Sequence, residues 1–227
     1  MTPGTPPKRK YDSRRRREQA AATRRTMLEA AQRRFERDGY VATTMELVAA
    51  EAGVALKTVY AAFGTKSGLL RSLWDLQLKG DADDAPVAER DWYREVLDEA
   101  RPERQLALNA RNVRVVRSRI GTLLGVIRSA AVVDADCAAL WHLIETEFYE
   151  NQRVIVQSIA SRGGLRDGLD VVRATDILWT LNHPDVWLLL VGQRGWSPED
   201  FESWFTEVTC EQLLGRRPRR GSAMVER

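Results

Sequence analysis

Apolar residues recur at intervals of three and four along most of the chain, and no segment alternates apolar and polar positions as a half-buried strand would; the pattern predicts an all-α protein. The first stripe, from about Glu18 to Asp38, carries Met27, Leu28, Ala31 and Phe35, with Arg24, Arg25, Arg33 and Arg34 largely off it. Gly39 lies just past the last periodic residue and predicts a stop. Tyr40 and Val41 read as core beneath the following segment, TTMELVAAEAGVALKTVYAAFGTKSGLL, Thr43 to Leu70. There Thr43 and Thr44 are helix-starting residues, and Glu46, three places after Thr43, stands where a capping-box acid reaches back to free amides. Met45, Val48, Ala49 and Ala52 share one face, and Gly53 supplies the left-handed turn that ends the helix. A second short helix, Leu56 to Phe63, turns Val59, Ala62 and Phe63 inward and Leu56, Lys57, Thr58, Tyr60 and Ala61 outward. The small Ala49 permits two helices to cross closely on a short turn.

Thr65 and Lys66 open a further helix through Leu69, Leu70, Leu73, Trp74 and Leu78, and a lysine beside unpaired first-turn amides is a candidate phosphate site. GDADDAPVAERD, from Gly80, reads as a loop. Helical patterns then run from Pro102 to about Ala131, with a break or bend expected at Gly121 and Gly125, and from an Asp134 cap to about Ala160. Another starts at Asp170 and passes a kink at His183-Pro184 into Val186 to Val191. The last begins at the Ser197 cap with Pro198 in its first turn and ends at Gly215. No internal repeat is present.

Charge divides the chain. Residues 1 to 70 hold 14 Lys and Arg against 7 Asp and Glu, leaving 21 against 25 for the rest of a molecule whose net charge is +3. The basic third is the side suited to nucleic acid. Met1 to Arg17, with three prolines and two basic runs, is expected to be a disordered arm that adds affinity by releasing counterions from DNA. The longest apolar run, Val186 to Val191, is far too short to span a bilayer, and the basic N-terminus lacks the apolar stretch of a secretory signal, so a cytoplasmic protein without membrane partners is expected. Cys137 and Cys210 are isolated in sequence and are expected to be buried small hydrophobes, with neither metal site nor disulfide.

Thr43 to Leu70, with RRTMLEAAQRRFERDGY before it, resembles the first helices of the TetR family of transcriptional regulators. The resemblance implies that positions matching Lys57, Thr58 and Tyr60 face DNA, that Tyr60 and Lys66 hold phosphates, and that Thr44 caps its helix and touches the DNA backbone. The candidate DNA-binding set is Thr43, Thr44, Leu56, Lys57, Thr58, Tyr60, Ala61 and Lys66. The chain departs from the family pattern at Ala55, Ala61 and Ala62. DILWTLNHPDVWLLLVGQRGWSPEDFESWFTEVTCEQLLG resembles the last two helices of a large subgroup, which implies a four-helix interface in a homodimer.

The expected organisation is a basic arm over 1–17, a three-helix helix-turn-helix DNA-binding domain over 18–80, a larger helical effector-binding and dimerisation domain over 81–215, and a basic tail over 216–227. The expected function is a sequence-specific DNA-binding regulator, a repressor released from a palindromic operator by a small-molecule effector. The alternative is an architectural DNA-binding protein without effector. All seven tryptophans lie beyond residue 73, and aromatic residues with a few polar groups build small-molecule pockets. Trp141, Phe148, Trp179 and His183 are the candidate pocket residues, although such residues are more often core. No cofactor is expected. Only two histidines, no nucleophile-elbow motif, no phosphate-loop motif and no recognisable carboxylate pair argue against an enzyme.

Overall fold

The computed structural model describes residues 11–79 and 90–215, and all regular structure among them is helical. The chain divides into two compact units, residues 1–73 and 74–227. The first contains α1 (Tyr11–Ala42), α2 (Met45–Ala52), α3 (Leu56–Phe63) and the first turns of α4 (Lys66–Lys79). The second contains the rest of α4, then α5 (Asp91–Asp98), α6 (Pro102–Ala130), α7 (Ala135–Ser161), α8 (Val171–Leu181), α9 (Pro184–Trp187) and α10 (Pro198–Thr209). α9 continues as π-helix over Leu188–Gln193, and α10 does so over Cys210–Leu214.

α1 begins earlier than its apolar stripe. Arg14 to Arg17, expected in a disordered arm, lie in its first turns. Arginine, glutamate, glutamine and alanine are all good helix formers, and the Arg14–Glu18 pair spans one turn at 2.8 Å. Residues 1–10, the Gly80 to Glu89 part of the expected loop and the expected tail from Arg216 lie outside the described residues. Gly39 interrupts α1 with φ 76° and ψ 173°, values that a side chain would strain. Beyond it Tyr40 is buried and stacks on Phe35, ring centres 5.9 Å apart. Val41, expected beside it in the core, is 72% exposed, because neighbouring residues point in different directions and only one can follow the turn inward.

α6 is the axis of the second unit and packs against α5, α7, α9 and α10. Its buried stripe, Leu106, Ala110, Val113, Arg117, Ile120, Leu124 and Ile127, keeps the three-four spacing throughout. One member of that stripe is an arginine. Gly121 and Gly125, expected to break the run, sit inside an uninterrupted helix. Gly121 gives clearance: a Cβ there would lie 2.8 Å from Nε1 of the buried Trp187, whereas one on Gly125 would make ordinary contact with Leu188 at 3.7 Å. Trp187 in turn packs edge-on against Phe201, centroids 4.9 Å apart.

The expected kink at His183 is a full helix boundary. α8 ends at Leu181, and His183 caps α9 by accepting the Asp185 amide at Nδ1, with Pro184 in the first position. α5 has no counterpart in the sequence reading. It is held by buried Tyr93 and Val96, and the Tyr93 hydroxyl donates to the Asn151 carbonyl at 3.0 Å. Of the apolar residues assigned to the last helices, Trp187, Phe201, Phe205 and Leu213 are buried within the chain, whereas Leu189 is exposed and Trp204 half-buried. Cys137 and Cys210 are both buried, and neither is in a disulfide.

Alanine at 121 would gain about 1 kcal/mol of helix propensity, but overpacking a full core removes about 1–3 kcal/mol. Gly121→Ala is therefore expected to lower the urea midpoint of unfolding, and a raised midpoint would show that Trp187 does not confine this face of α6.

Candidate nucleic-acid interface and internal cavity

The cap of α2 is Thr44, as the family resemblance implies and one residue later than the capping-box count from Thr43. Its hydroxyl accepts the Leu47 amide at 3.3 Å, and its extended backbone, φ −114° and ψ 161°, leads into the helix. Thr43 is wholly buried and donates its hydroxyl to the Gly39 carbonyl at 2.7 Å. A side chain so placed is structural, and Thr43 leaves the set of residues that face outward. Glu46 consequently occupies the second helical position, short of the capping-box site. Its carboxylate is held below the ordinary range by its own backbone amide and then by the Thr44 hydroxyl.

α2 closes on a Schellman turn. Gly53, at φ 67° and ψ 32°, donates to the Ala50 carbonyl at 3.3 Å, and Val54 donates to Ala49 at 3.0 Å. This turn aims α3. Val59 is fully buried beneath α3, while Lys57, Thr58, Tyr60 and Ala61 are exposed and Leu56 is half-buried at the edge. No side chain caps α3, since Ala55 stands at its N-cap. Gly64 ends the helix at φ 72°, and Thr65 starts α4 by accepting the Gly68 amide at 2.9 Å.

Side chains of α1 hold this arrangement from behind. Arg24 donates to the Ala62 carbonyl at 2.9 Å and to the Ser72 hydroxyl at 3.1 Å, and its guanidinium lies 4.4 Å from the Phe63 ring centre. One arginine thus joins α1, α3 and α4, a role that charge patterning alone did not distinguish from a solvated face. Arg33 and Arg34 both pair with Glu51 on α2. Lys66 points back to Tyr40, donating to its carbonyl at 2.9 Å with the ammonium 4.2 Å from the ring centre. A groove lined by Arg16, Thr23 and Arg24 of α1 and by Thr58 and Ala61 of α3 places α1 cations beside the exposed face of α3.

Residues 27–73 match the family model described as bacterial regulatory proteins, tetR family. The first unit is a TetR-family domain. No curated protein matches the chain in sequence. Solved structures extend the likeness of fold over both units. NalD of Pseudomonas aeruginosa, the secondary repressor of the MexAB-OprM multidrug efflux pump, is 20% identical with a TM-score of 0.64, over 86% of this chain and 98% of that one. A transcriptional regulator of Saccharomonospora viridis in complex with choline is 17% identical with a TM-score of 0.66, over 86% and 100%. SmeT in complex with triclosan is 17% identical with a TM-score of 0.66, over 85% and 92%. The molecule is an all-α protein with an N-terminal TetR-family DNA-binding domain and a larger C-terminal helical domain.

In the C-terminal domain, residues of α5, α6 and α7, together with Leu78 and Asn182, line a partly open cavity of about 70 Å³. Trp92, Val113, Val116, Phe148 and Ile155 supply apolar walls, and Asn109, Arg117, Gln152 and Asn182 supply polar ones. Phe148 is the one sequence-nominated pocket residue in this lining. Trp141, Trp179 and His183 instead form their own edge-on cluster, with His183 5.1 Å from Trp179 and 6.4 Å from Trp141 between ring centres. Aromatic content alone did not separate the two groups. The missed signal was polar residues at core positions: Arg117 interrupts the α6 stripe, and Gln152 lies among Ile144, Ile155 and Ile159 on the buried face of α7. Among the described residues no helix is long and apolar enough to cross a membrane, and no group of three or more metal-ligating side chains is present.

Arg33 first, and then Arg34, hold the Glu51 carboxylate below its ordinary value of 4.5. A carboxyl depressed in the folded state contributes stability above its unfolded value and loses it as the pH falls through the folded one. Glu51→Gln is expected to lower the thermal midpoint at about pH 7, and the gap from the parent should close as the pH drops below about 4. A gap independent of pH would show that the α1–α2 ion pairs contribute nothing.

Proposed function

We propose that this protein is a sequence-specific DNA-binding transcriptional regulator that acts as a homodimer, most simply a repressor released from a palindromic operator by a small molecule. The observation that carries the reading is the outer face of α3: Lys57, Thr58, Tyr60 and Ala61 are all exposed on a helix whose opposite side is anchored by buried Val59. A helix so presented enters the major groove of B-DNA, where lysine reads guanine acceptors and a threonine methyl meets thymine. Tyr60 and Thr44 stand at the rim for phosphates, and Lys66 has donors left beyond its bond to Tyr40.

One such helix touches few bases, and each good bidentate contact contributes about 1–3 kcal/mol of discrimination. Pairing two chains about a two-fold axis doubles the reading, with heads about 34 Å apart or a multiple of that distance. Leu189, Leu190 and Trp204 leave apolar surface on the last two helices for such a partner. The C-terminal cavity is the effector site in this reading. The relatives bound to choline and to triclosan support a fold able to hold a small ligand. An effector acts only if it favours the conformation that cannot bind DNA. The protein works in the cytoplasm and uses no cofactor, and its role is binding and not catalysis.

Footprinting on the DNA flanking the protein's own gene is expected to show a protected palindrome. Tyr60→Ala should weaken binding to all sequences by similar factors, whereas Lys57→Ala should reorder the preference among operator variants. Equal affinity for operator and random DNA would instead establish the architectural reading.

A further inference from the structure

α6 presents Asn109, Asn112, Val113, Val116 and Arg117 on one face, since these positions are separated by three, four, seven and eight residues. Arg117 is 4% exposed. It donates from Nη2 to the Asn182 carbonyl at 2.8 Å, and its guanidinium lies 4.6 Å from the Phe148 ring centre. Nη1 has no partner in the protein, nor do Nδ2 of Asn109, Oε1 of Gln152 and Oδ1 of Asn182. All four residues line the same cavity. Burial lowers the guanidinium to about 9, and among the described residues no carboxylate pairs with it.

An isolated buried cation is strongly disfavoured, and proteins hold one only where a counter-charge or a function compensates. Along α6 the other buried unpaired side-chain atom is Oε1 of Gln105, whose Nε2 donates to Ser158, and Arg117 is the buried cation of the helix. Two unpaired donors, on Arg117 and Asn109, match in number the two oxygens of a carboxylate, and a charge-assisted bond from a guanidinium favours that anion over a neutral acceptor. Trp92, Val113, Val116 and Ile155 ask for an apolar body behind it. At about 10–15 Å³ per water position, the volume holds on the order of five or six such positions, which is the scale of a small acid.

We propose that the C-terminal cavity binds a compact monocarboxylate, its carboxylate held by Arg117 and Asn109 and its apolar body packed against Trp92, Val113 and Ile155. The assignment rests on the effector reading given above and narrows it to a chemical class. A quaternary ammonium such as choline is excluded by the same charge.

Calorimetric titration of the full chain, without DNA, tests it with acetate, butyrate and benzoate, each beside its neutral amide, and with choline. At least one acid is expected to bind tenfold or more tightly than its amide, and choline not at all. Arg117→Gln should abolish that preference, Arg117→Lys should keep part of it, and the thermal midpoint of Arg117→Gln should equal or exceed the parent's, which shows that the variant is folded. Amides binding as well as acids, no acid binding, choline binding, or a preference that survives Arg117→Gln would each overturn the assignment. Because DNA is absent, the outcome is independent of the footprint: a missing operator leaves an acid preference standing, and a missing preference leaves the operator standing.

Discussion

The outward presentation of α3 depends on how firmly its inner side is fixed. A helix of eight residues is too short to persist alone in water, so its existence rests on tertiary packing. Buried Val59 anchors its middle, the Gly53 turn sets its direction, and Arg24 donates to the Ala62 carbonyl while covering Phe63. Arg33 and Arg34 hold α2 through Glu51, so that the helix preceding the turn is restrained as well. The consequence is an exposed row of side chains with little freedom to change direction, which recognition of a rigid duplex requires.

The C-terminal domain solves an opposite problem. Its core is laid down along α6, where three-four spacing carries one apolar residue after another into contact with α5, α7, α9 and α10. Clearance at Gly121 admits the Trp187 ring, and the tryptophan carries Phe201 with it. Against that well-filled region, the end of the core near Asn109 and Arg117 has space and unpaired polar atoms. In the proposed reading, the ligand's carboxylate supplies the partner for the Arg117 charge.

Both regions show arginine used for planarity as much as for charge. Arg24 lies over Phe63 and Arg117 over Phe148 at similar distances, each also donating to a helix-terminal carbonyl. The difference lies in solvent: Arg24 is exposed and its charge is screened, whereas Arg117 is enclosed and its charge is expressed fully within the cavity.

Local signals in the sequence were sufficient for helical class, for the α2–turn–α3 element and for most helix starts, because capping oxygens, left-handed glycines and three-four spacing act within a few residues of one another. Thr44, Gly53, Asp134, Asp170 and Ser197 are of this kind, and each performs its local role in the folded chain. What the sequence left open depended on residues far apart along the chain. The role of Gly121 was decided by a tryptophan 66 positions later. The gathering of Asn109, Arg117, Phe148 and Asn182 around one cavity was decided only when α6, α7 and the end of α8 packed together, since burial turns an ordinary surface charge into a specific one and no local pattern records what will cover it.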